Sequence, residues 1–538
     1  MQIMNAYRVL IFLLMIGTAY AGYPYWPEYS KTPLAEIRPQ KWRDKGDVIE
    51  GWDWSLPPNV KPAPNGLMAV KRSSSLDRSL TTVLEPLDIP INPTVTLWIK
   101  WGDLEPEEGK YRFAMLRKRI EEAEAMGYSV VLRLLCSATS FAPEWIKNYD
   151  IPIRAEHKPA KVKNYDISNP HYHRCYLRLI HKLGESGIPR LNALKGAFVG
   201  YASPSYGDEG IGPHGVDPDT VPHVIKRLDA WAKAFEGVEH KVFMGGVSRH
   251  GLDLGFGIRR GFVEMYLYHI PDDSIGQRID NNGYLWVDES AQILSTNVFH
   301  GEENEEYEEK WATAARDFRF GKTTDSYPYR YFTSNLRLLQ MRCSYVLYNS
   351  FSIMPEQLVW VGQNLARTVE DAPDIWCALR ESYVRKVGPV KNFERWLYQR
   401  DSEGFQTQPA VKIEQPIQMW MVEPGKYYDY VARQGQHIGF AVDDRWCGGV
   451  PVNVAIKATF FDIGRDTVDV FLRTKTGPSK RSINLTGTGD LKTATFFFND
   501  VVFSAKGMNY DIIFKSTGAD AVLSFVRVIK LDRPGVFE

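Results

Sequence analysis

Residues 94–136 read TVTLWIKWGDLEPEEGKYRFAMLRKRIEEAEAMGYSVVLRLLC, and this stretch contains two apolar runs separated by an amphipathic one. The runs TVTLWIKW and SVVLRLLC have the length and the apolar character of buried strands. Between them, FAMLRKRIEEAEAMG repeats apolar residues at the spacing of a helix that buries one face. The stretch therefore predicts a strand, a helix and a second strand that form one βαβ unit.

The same alternation extends from about Gly66 to Asn349, where short apolar runs are separated by helical patterns such as RCYLRLIHKLGES and HVIKRLDAWAKAFEG. Eight such runs are present: GLMAV, TVTLWIKW, SVVLRLLC, GAFVGYA, KVFMGG, GYLWV, ILSTNVFH and SYVLYN. Their number and spacing in one domain of this length predict a closed (β/α)8 barrel, the α/β fold also called a TIM barrel.

The pattern changes after residues 401–414, a polar stretch that contains Pro and Gly. Beyond it, runs such as HIGFAV, TVDVFLRT and VLSFVRVIKL follow one another without a helical pattern between them, which predicts an antiparallel β-sandwich. The predicted organisation is a signal peptide at 1–21, the barrel at 22–400, a linker at 401–414 and the sandwich at 415–538. The sandwich is either carbohydrate-binding or a structural support for the barrel.

The N-terminus reads MQIMNAYRVLIFLLMIGTAYAG, with one arginine, a short apolar run and the triplet Ala-Tyr-Ala. This pattern predicts a signal peptide that is cut after Ala21, and therefore a secreted or periplasmic protein. The apolar run is too short to cross a bilayer, and no later segment predicts an integral membrane helix.

Composition excludes some classes of partner and leaves others open. Lysine plus arginine and aspartate plus glutamate both total 65, so no net charge favours nucleic acid or an anionic membrane. Aromatic residues make up 13% of the chain, which suits stacking on sugars and equally a large core. The five cysteines are scattered and lack Cys-x-x-Cys spacing, so we predict no zinc site, no disulfide framework and no cofactor.

The segment TLWIKWGDLEPEEGKYRF resembles the second barrel strand and the following loop of clan A glycoside hydrolases, particularly the family 42-like β-galactosidases. The next unit, GYSVVLRLLCSATSFAPEWI, is similar to theirs as well, with an apolar strand, small residues and then Ala-Pro-x-Trp. The resemblance covers about fifty residues, and the spacing of the later strands extends a weaker similarity to about residue 400. It implies a carbohydrate substrate and a pair of catalytic carboxylates.

In that clan the fourth strand ends in the general acid/base. The matching segment here is GAFVGYASPSYGDEG, which makes Glu209 the candidate. The clan usually has Asn directly before this glutamate, where its amide binds the sugar 2-hydroxyl, but this chain has Asp208. Either Asp208 accepts the hydrogen bond instead, or it is itself the acid, or the 2-position of the substrate is unusual.

The clan places its nucleophile at the end of the seventh strand, and here the run ILSTNVFH is followed by Gly301 and a cluster of glutamates. Tyr307 and Trp311 begin a helical repeat, so the later acids are expected to face solvent. Glu302 and Glu303 directly follow the predicted strand. We predict Glu302 as the nucleophile, because it shares strand parity with His300, with Glu303 as the alternative.

Further residues are expected to bind the substrate because they lie at strand ends. Arg133 lies within an apolar strand, where it is expected to pair with a carboxylate such as the nucleophile. A basic cluster, Arg249, His250, Arg259 and Arg260, either pairs with local acids or binds a sulfate or uronate. The predicted substrate-binding residues are Trp101, Arg133, Trp145, Tyr206, Asp208, His300 and Trp360.

These residues predict a secreted retaining glycoside hydrolase, with Glu209 as acid/base and Glu302 as nucleophile, that acts on a β-galactoside-like oligo- or polysaccharide. One alternative is a non-catalytic carbohydrate-binding protein on the same barrel, which the Asp208 substitution keeps open. A second is a metal-dependent hydrolase that uses Glu302, Glu303 and His300, although the sequence has no clear metal-ligand motif.

Overall fold

The structure of the protein is a computed structural model. It describes residues 32–73, 76–157, 162–199, 216–262, 275–296, 298–303, 327–348, 351, 354–384, 388–414, 428–503 and 510–535.

Eight parallel strands close into a barrel, as the sequence predicted. In chain order they are β1 (Leu67–Ser73), β2 (Pro93–Lys100), β3 (Ser129–Leu135), β4 (Leu194–Phe198), β5 (Val242–Gly245), β6 (Gly257–Phe262), β7 (His300–Glu303) and β8 (Tyr345–Tyr348). Each strand pairs with the next along the chain, and β8 pairs with β1 to complete the ring. Because every strand runs the same way, all eight C-terminal ends meet at one end of the barrel.

Helices pack on the outside of this ring and cover its apolar outer face. The longer ones are Phe113–Ala125, Pro170–Glu185, Pro222–Ala234, Tyr327–Gln340 and Pro355–Asn364, and shorter ones are Trp101–Leu104, Arg249–Asp253 and Gln292–Ser295. A further short helix, Asp444–Cys447, belongs to the C-terminal region. Pro170–Glu185 shows why these segments are helical, since Asn169 caps its first turn by accepting from the backbone N–H of His171 at 2.9 Å. Proline follows at the first helical position, where its missing N–H costs nothing.

Two barrel strands differ from the sequence prediction. The run GYLWV is not a barrel strand, because Leu285–Val287 pairs antiparallel with Gln277–Ile279 in a separate hairpin. The sixth strand is instead Gly257–Phe262, which two arginines and two glycines concealed from a search for apolar runs. The seventh strand begins only at His300, and Gln292–Ser295 before it is a short helix.

The C-terminal region is a 13-stranded antiparallel sheet whose two halves enclose a second apolar core, in a β-sandwich-like arrangement. Its strands are Val48–Glu50, Asp374–Val384, Gly388–Arg395, Leu397–Gln399, Gln408–Glu414, Tyr428–Gly435, His437–Val442, Val452–Phe461, Thr467–Thr474, Gly477–Asn484, Leu491–Val501, Ile512–Ser516 and Ala521–Leu531. The sheet thus includes residues from 374 onward, and part of the predicted linker, Gln408–Glu414, is a strand paired with Tyr428–Gly435.

The barrel and the sheet are joined by a buried polar contact. Asp374, fully buried at the start of its strand, accepts from the indole Nε1 of Trp360 at 2.8 Å and from Nε of Arg527 at 2.9 Å. Trp360 comes from a barrel helix and Arg527 from the sheet. A buried charge pair with an added indole donor favours one relative placement of the two parts, because either partner alone would be a buried, unneutralised charge.

Candidate functional site

The barrel interior is filled by side chains and is not a pore. Its apolar members form one cluster: Leu67, Ala69, Val131, Phe198, Phe243, Phe299, Tyr345 and Leu347. Alternate residues, such as Val346, belong instead to the core between strands and helices. Strand parity therefore separates the inner face from the outer face of the barrel wall, because successive residues of a strand point to opposite sides.

This parity distinguishes the two candidate nucleophiles through their backbone register. The parallel ladder between β7 and β8 pairs Glu303 with Leu347 and Glu302 with Val346. Paired residues occupy the same face of a sheet. Glu303 therefore occupies an inner-face position at the C-terminal end of β7, and Glu302 an outer-face position. The ladder between β6 and β7 shifts register between Gly301 and Glu303, so this placement rests on the pairing with β8, and the catalytic role of either glutamate stays a prediction.

Two arginines lie in the barrel interior near this end. The guanidinium carbon of Arg133 lies 3.7 Å from the ring centroid of Trp98 and 5.7 Å from that of Phe198. The guanidinium carbon of Arg259 lies 5.3 Å from the same Phe198 ring. Arg133 is 5% exposed and Arg259 7% exposed, so water screens neither charge well. Both guanidiniums therefore lie in the upper interior of the barrel, close to the same phenylalanine ring.

Arg259 was expected in a basic cluster with Arg249 and His250, and the structure separates them. Arg249 begins a short helix and is exposed, with its backbone N–H donating to Asp219 at 2.8 Å. His250 contacts Asp229 at 2.7 Å. Arg259 instead pairs in register with Gly301 of β7. The signal available in the sequence was the alternation Gly257, Arg259 and Gly261, which is strand-like despite its polarity.

Within the motif LEPEEG, the side chain of Glu105 is fully buried. Its carboxylate accepts from the indole of Trp101 at 2.8 Å, the backbone N–H of Gly109 at 2.8 Å and the guanidinium of Arg178 at 3.1 Å. Its carbonyl accepts from the indole of Trp145 at 2.9 Å. Glu105 therefore fixes the loop after β2 and orients Trp145 beside it, which is a positioning role.

The predicted aromatic binding residues differ in their exposure. Trp145 is half-buried and presents part of its ring at the surface. Trp101 and Trp360 have no exposed surface that a sugar could contact, since Trp101 packs edge-on against Trp145 and Trp360 packs between barrel and sheet. Tyr206, Asp208 and Glu209 lie outside the described residues, so their roles stay predictions.

His300 lies at the N-terminal end of the barrel strands, opposite the C-terminal ends. It opens β7, is 6% exposed, and its Nε2 lies 3.1 Å from the carbonyl of Met341. Burial lowers the pKa of this imidazole to about 4. His300 lines a cavity of about 450 Å³ at the N-terminal ends of the strands. Its position is therefore at the end of the barrel where enzymes of this fold do not place their chemistry.

Other features bear on cofactors and membranes. Within the described ranges, no group of three His, Cys, Asp or Glu side chains is arranged to hold a metal ion. Cys136, Cys175, Cys343 and Cys377 are buried free thiols, and Cys447 is a half-buried one. None of the helices in the described part of the chain has the length and hydropathy needed to span a bilayer.

The fold and the sequence comparison agree on the class of protein. The chain is a (β/α)8-barrel protein with a C-terminal β-sandwich-like sheet, and it resembles the clan A glycoside hydrolases. Residues 91–186 match the family of glycoside hydrolase family 42 β-galactosidases. The match covers β2, β3, the LEPEEG loop and the helix Pro170–Glu185. No curated protein sequence matches the chain.

The solved structures that the chain matches are distant from it. A GH30 endoxylanase from Clostridium papyrosolvens C71 is 9% identical over 90% of this chain and 100% of its own, with a TM-score of 0.34. A β-galactosidase from Rahnella sp. R3 is 14% identical over 41% of each chain, with a TM-score of 0.24. An exo-β-1,4-mannosidase from Opitutaceae bacterium strain TAV5 is 12% identical over 37% of this chain, with a TM-score of 0.23, and this chain spans 38% of its length.

Proposed function

We propose that this protein is a retaining glycoside hydrolase in which Glu303 is the nucleophile and Glu209 the general acid/base. The observation that carries the proposal is the register of Glu303, an inner-face residue at the last position of β7. The C-terminal end of the barrel is where enzymes of this fold carry their catalytic groups. The match of residues 91–186 to a glycosidase family supports the same chemistry.

The proposed reaction has two steps. Glu209, protonated, donates a proton to the leaving glycosidic oxygen while the Glu303 carboxylate attacks the anomeric carbon, which forms a covalent glycosyl-enzyme. Glu209, now ionised, then accepts a proton from a water that attacks the same carbon and releases Glu303. Retention requires the two carboxyl groups to lie about 5 to 5.5 Å apart on opposite faces of the sugar. The sugar leaves with its original anomeric configuration.

Arg133 and Arg259 have a supporting role in this proposal. Both arginines lie buried in the upper barrel interior, with their guanidiniums near the ring of Phe198. A buried cation near a carboxylate favours the ionised form that nucleophilic attack requires. We therefore assign them to stabilising Glu303 as a carboxylate, while Trp145, partly exposed and held by the Glu105 carbonyl, contacts the substrate.

The proposed substrate is a β-galactoside-like oligo- or polysaccharide, in line with the family match. The test is incubation of the purified protein with β-linked galactosides, xylosides and mannosides, with proton NMR of the first sugar released. Retention predicts that the β-anomer appears first and later mutarotates. Binding of a glycan without release of any sugar favours the alternative, a non-catalytic carbohydrate-binding protein, for which Asp208 in place of the usual Asn is the supporting observation.

We also propose that the protein is exported. The basis is the signal-peptide pattern of residues 1–21, which lie outside the described residues. N-terminal sequencing of the protein recovered from its source should begin at Gly22. A cytoplasmic protein that retains Met1 would contradict export, and it would leave the proposed chemistry untouched.

A further inference from the structure

A cavity of about 450 Å³ lies at the N-terminal ends of the barrel strands, far from the proposed catalytic end. Residues at or just before the starts of β4, β5, β7 and β8 line one side of it, among them Lys195, Lys241 and His300. Trp396 and Arg445 of the C-terminal region line the other side. The packed interior of the barrel, including Phe299, lies between this cavity and the other end. Its volume is that of a small-ligand site.

Two lysines, three arginines and two glutamates, Glu289 and the exposed Glu370, line the cavity, so cations outnumber acids. Its arginines are already matched, since Arg342 lies 3.1 Å from Glu289, Arg367 lies 3.3 Å from Asp371, and Arg445 pairs with Asp443 at 2.7 Å. These ion pairs give the arginine side of the cavity a balanced charge and a fixed geometry.

The lysines are not matched in this way. The ammonium of Lys241, which is 9% exposed, donates to the carbonyls of Pro189 and Leu191, each at 3.1 Å. The ammonium of Lys195 lies 3.4 Å from Oδ1 of Asn192. Among the described residues, no carboxylate forms an ion pair with either lysine. Burial, and then the charge of Lys195, lower the pKa of Lys241 to about 8, as expected for a buried ammonium that no carboxylate neutralises and that an anion would stabilise.

His300 adds a different group to the same wall. Its Nε2 donates to the carbonyl of Met341, and its Nδ1 has no hydrogen-bond partner among the described residues. A neutral imidazole that donates through one nitrogen accepts through the other. This nitrogen is buried and has no surface open to the cavity, so His300 forms part of the cavity wall through the rest of its ring.

We propose that this cavity binds a small anion, with Lys195 and Lys241 facing the negative charge. Two sources share this chemistry, an acidic monosaccharide and hydrogen phosphate. The bound anion neutralises the two lysines, which gives the cavity its affinity for a negatively charged ligand. The site is separate from the proposed catalytic end and does not depend on the proposed glycosidase activity.

The test is isothermal titration of the full chain at low ionic strength with galacturonate and with inorganic phosphate, and with galactose as the uncharged control. Lys195→Gln should weaken binding of the anion by about tenfold or more, as expected for the loss of one charge-assisted hydrogen bond. Lys233→Gln is the matched control, because Lys233 is an exposed helix lysine paired with Glu236 at 3.0 Å. This variant should bind as the native protein does.

Lys241→Met is the second variant, and it should abolish binding while the circular dichroism spectrum remains native. Tight binding of galacturonate alone would identify an acidic sugar, and equal binding of phosphate would identify a general oxyanion site. The proposal is overturned if neither anion binds the native protein, or if Lys195→Gln and Lys233→Gln bind with equal affinity. Hydrolysis rates play no part in this readout, so its failure is distinguishable from failure of the glycosidase proposal.

Discussion

The backbone of Glu303 pairs with that of Leu347 in the parallel ladder between β7 and β8. Leu347 belongs to the apolar cluster inside the barrel, so the inner-face position at the end of β7 is occupied by a glutamate. Glu302, one residue earlier, pairs with Val346 on the helix-covered face. The register thus assigns two adjacent glutamates to opposite faces of the barrel wall.

Arg259→Met should lower kcat/KM by about a hundredfold, a loss typical of removing a charged group that supports the reacting centre. Removing the cation raises the pKa of a neighbouring carboxylate. The acidic limb of the pH profile of kcat/KM should therefore move to higher pH, and Arg259→Lys should partly restore it. Arg249→Met, on an exposed helix start, should change neither quantity. An unshifted acidic limb in Arg259→Met would contradict the assigned role.

Glu105→Gln should lower the free energy of unfolding by about 3 kcal/mol, because it removes the buried carboxylate that accepts from Trp101, Gly109 and Arg178. Urea unfolding followed by tryptophan fluorescence measures the loss. Glu107→Gln is the control, since Glu107 is exposed and its only ion pair in the described residues is with Lys110. That change should cost less than about 0.5 kcal/mol. Equal free energies of unfolding in the two variants would contradict the stabilising role of Glu105.

Acid should destabilise the fold partly through His300, whose folded pKa of about 4 lies below its ordinary value of 6.5 because the ring is buried. The unfolded chain then binds the proton first as the pH falls. The stabilisation that the neutral, buried His300 gives the folded state is complete above pH 6.5, and it is lost as the pH falls from 6.5 to 4. The melting temperature of His300→Gln should therefore fall less steeply over this interval than that of the native protein. The variant His181→Gln, at an exposed position, should follow the native curve, and a native-like slope in His300→Gln would contradict the assignment.

Much of the architecture could be predicted from sequence, because most buried strands are continuous apolar runs. The strands of the C-terminal sheet from His437 onward followed from alternating residues, and only the polar strand Gly477–Asn484 lacked an apolar run. The sheet strands between 374 and 399 were assigned to the barrel, since nothing in their composition distinguishes the two parts. Their partners lie far along the chain, as in the pairing of Asp374 with Ile529, and such contacts are not visible in local patterns.

The sixth strand and the nucleophile show a second limit. Arg259 lies on a barrel strand and is buried, whereas sequence rules treat an arginine as a mark of the surface. The choice between Glu302 and Glu303 rested on the parity that Glu302 shares with His300, and a shift by one residue exchanges the two faces. The structure pairs His300 with Ile258, which belongs to the core outside the barrel wall. The LEPEEG motif was recognised, but its role in fixing a loop required the contacts of Glu105.

The most direct measurement is a comparison of kcat for Glu303→Gln and Glu302→Gln on a substrate that the native protein hydrolyses. Glutamine keeps the shape of the side chain and removes the attacking charge, so Glu303→Gln should lose several orders of magnitude in kcat while still binding the glycan. Glu302→Gln should retain most of the native rate. Added azide should restore turnover in a small-residue variant, Glu303→Gly, with inversion at the anomeric carbon. If Glu303→Gln turns over at a near-native rate, the assignment of Glu303 as the nucleophile is wrong.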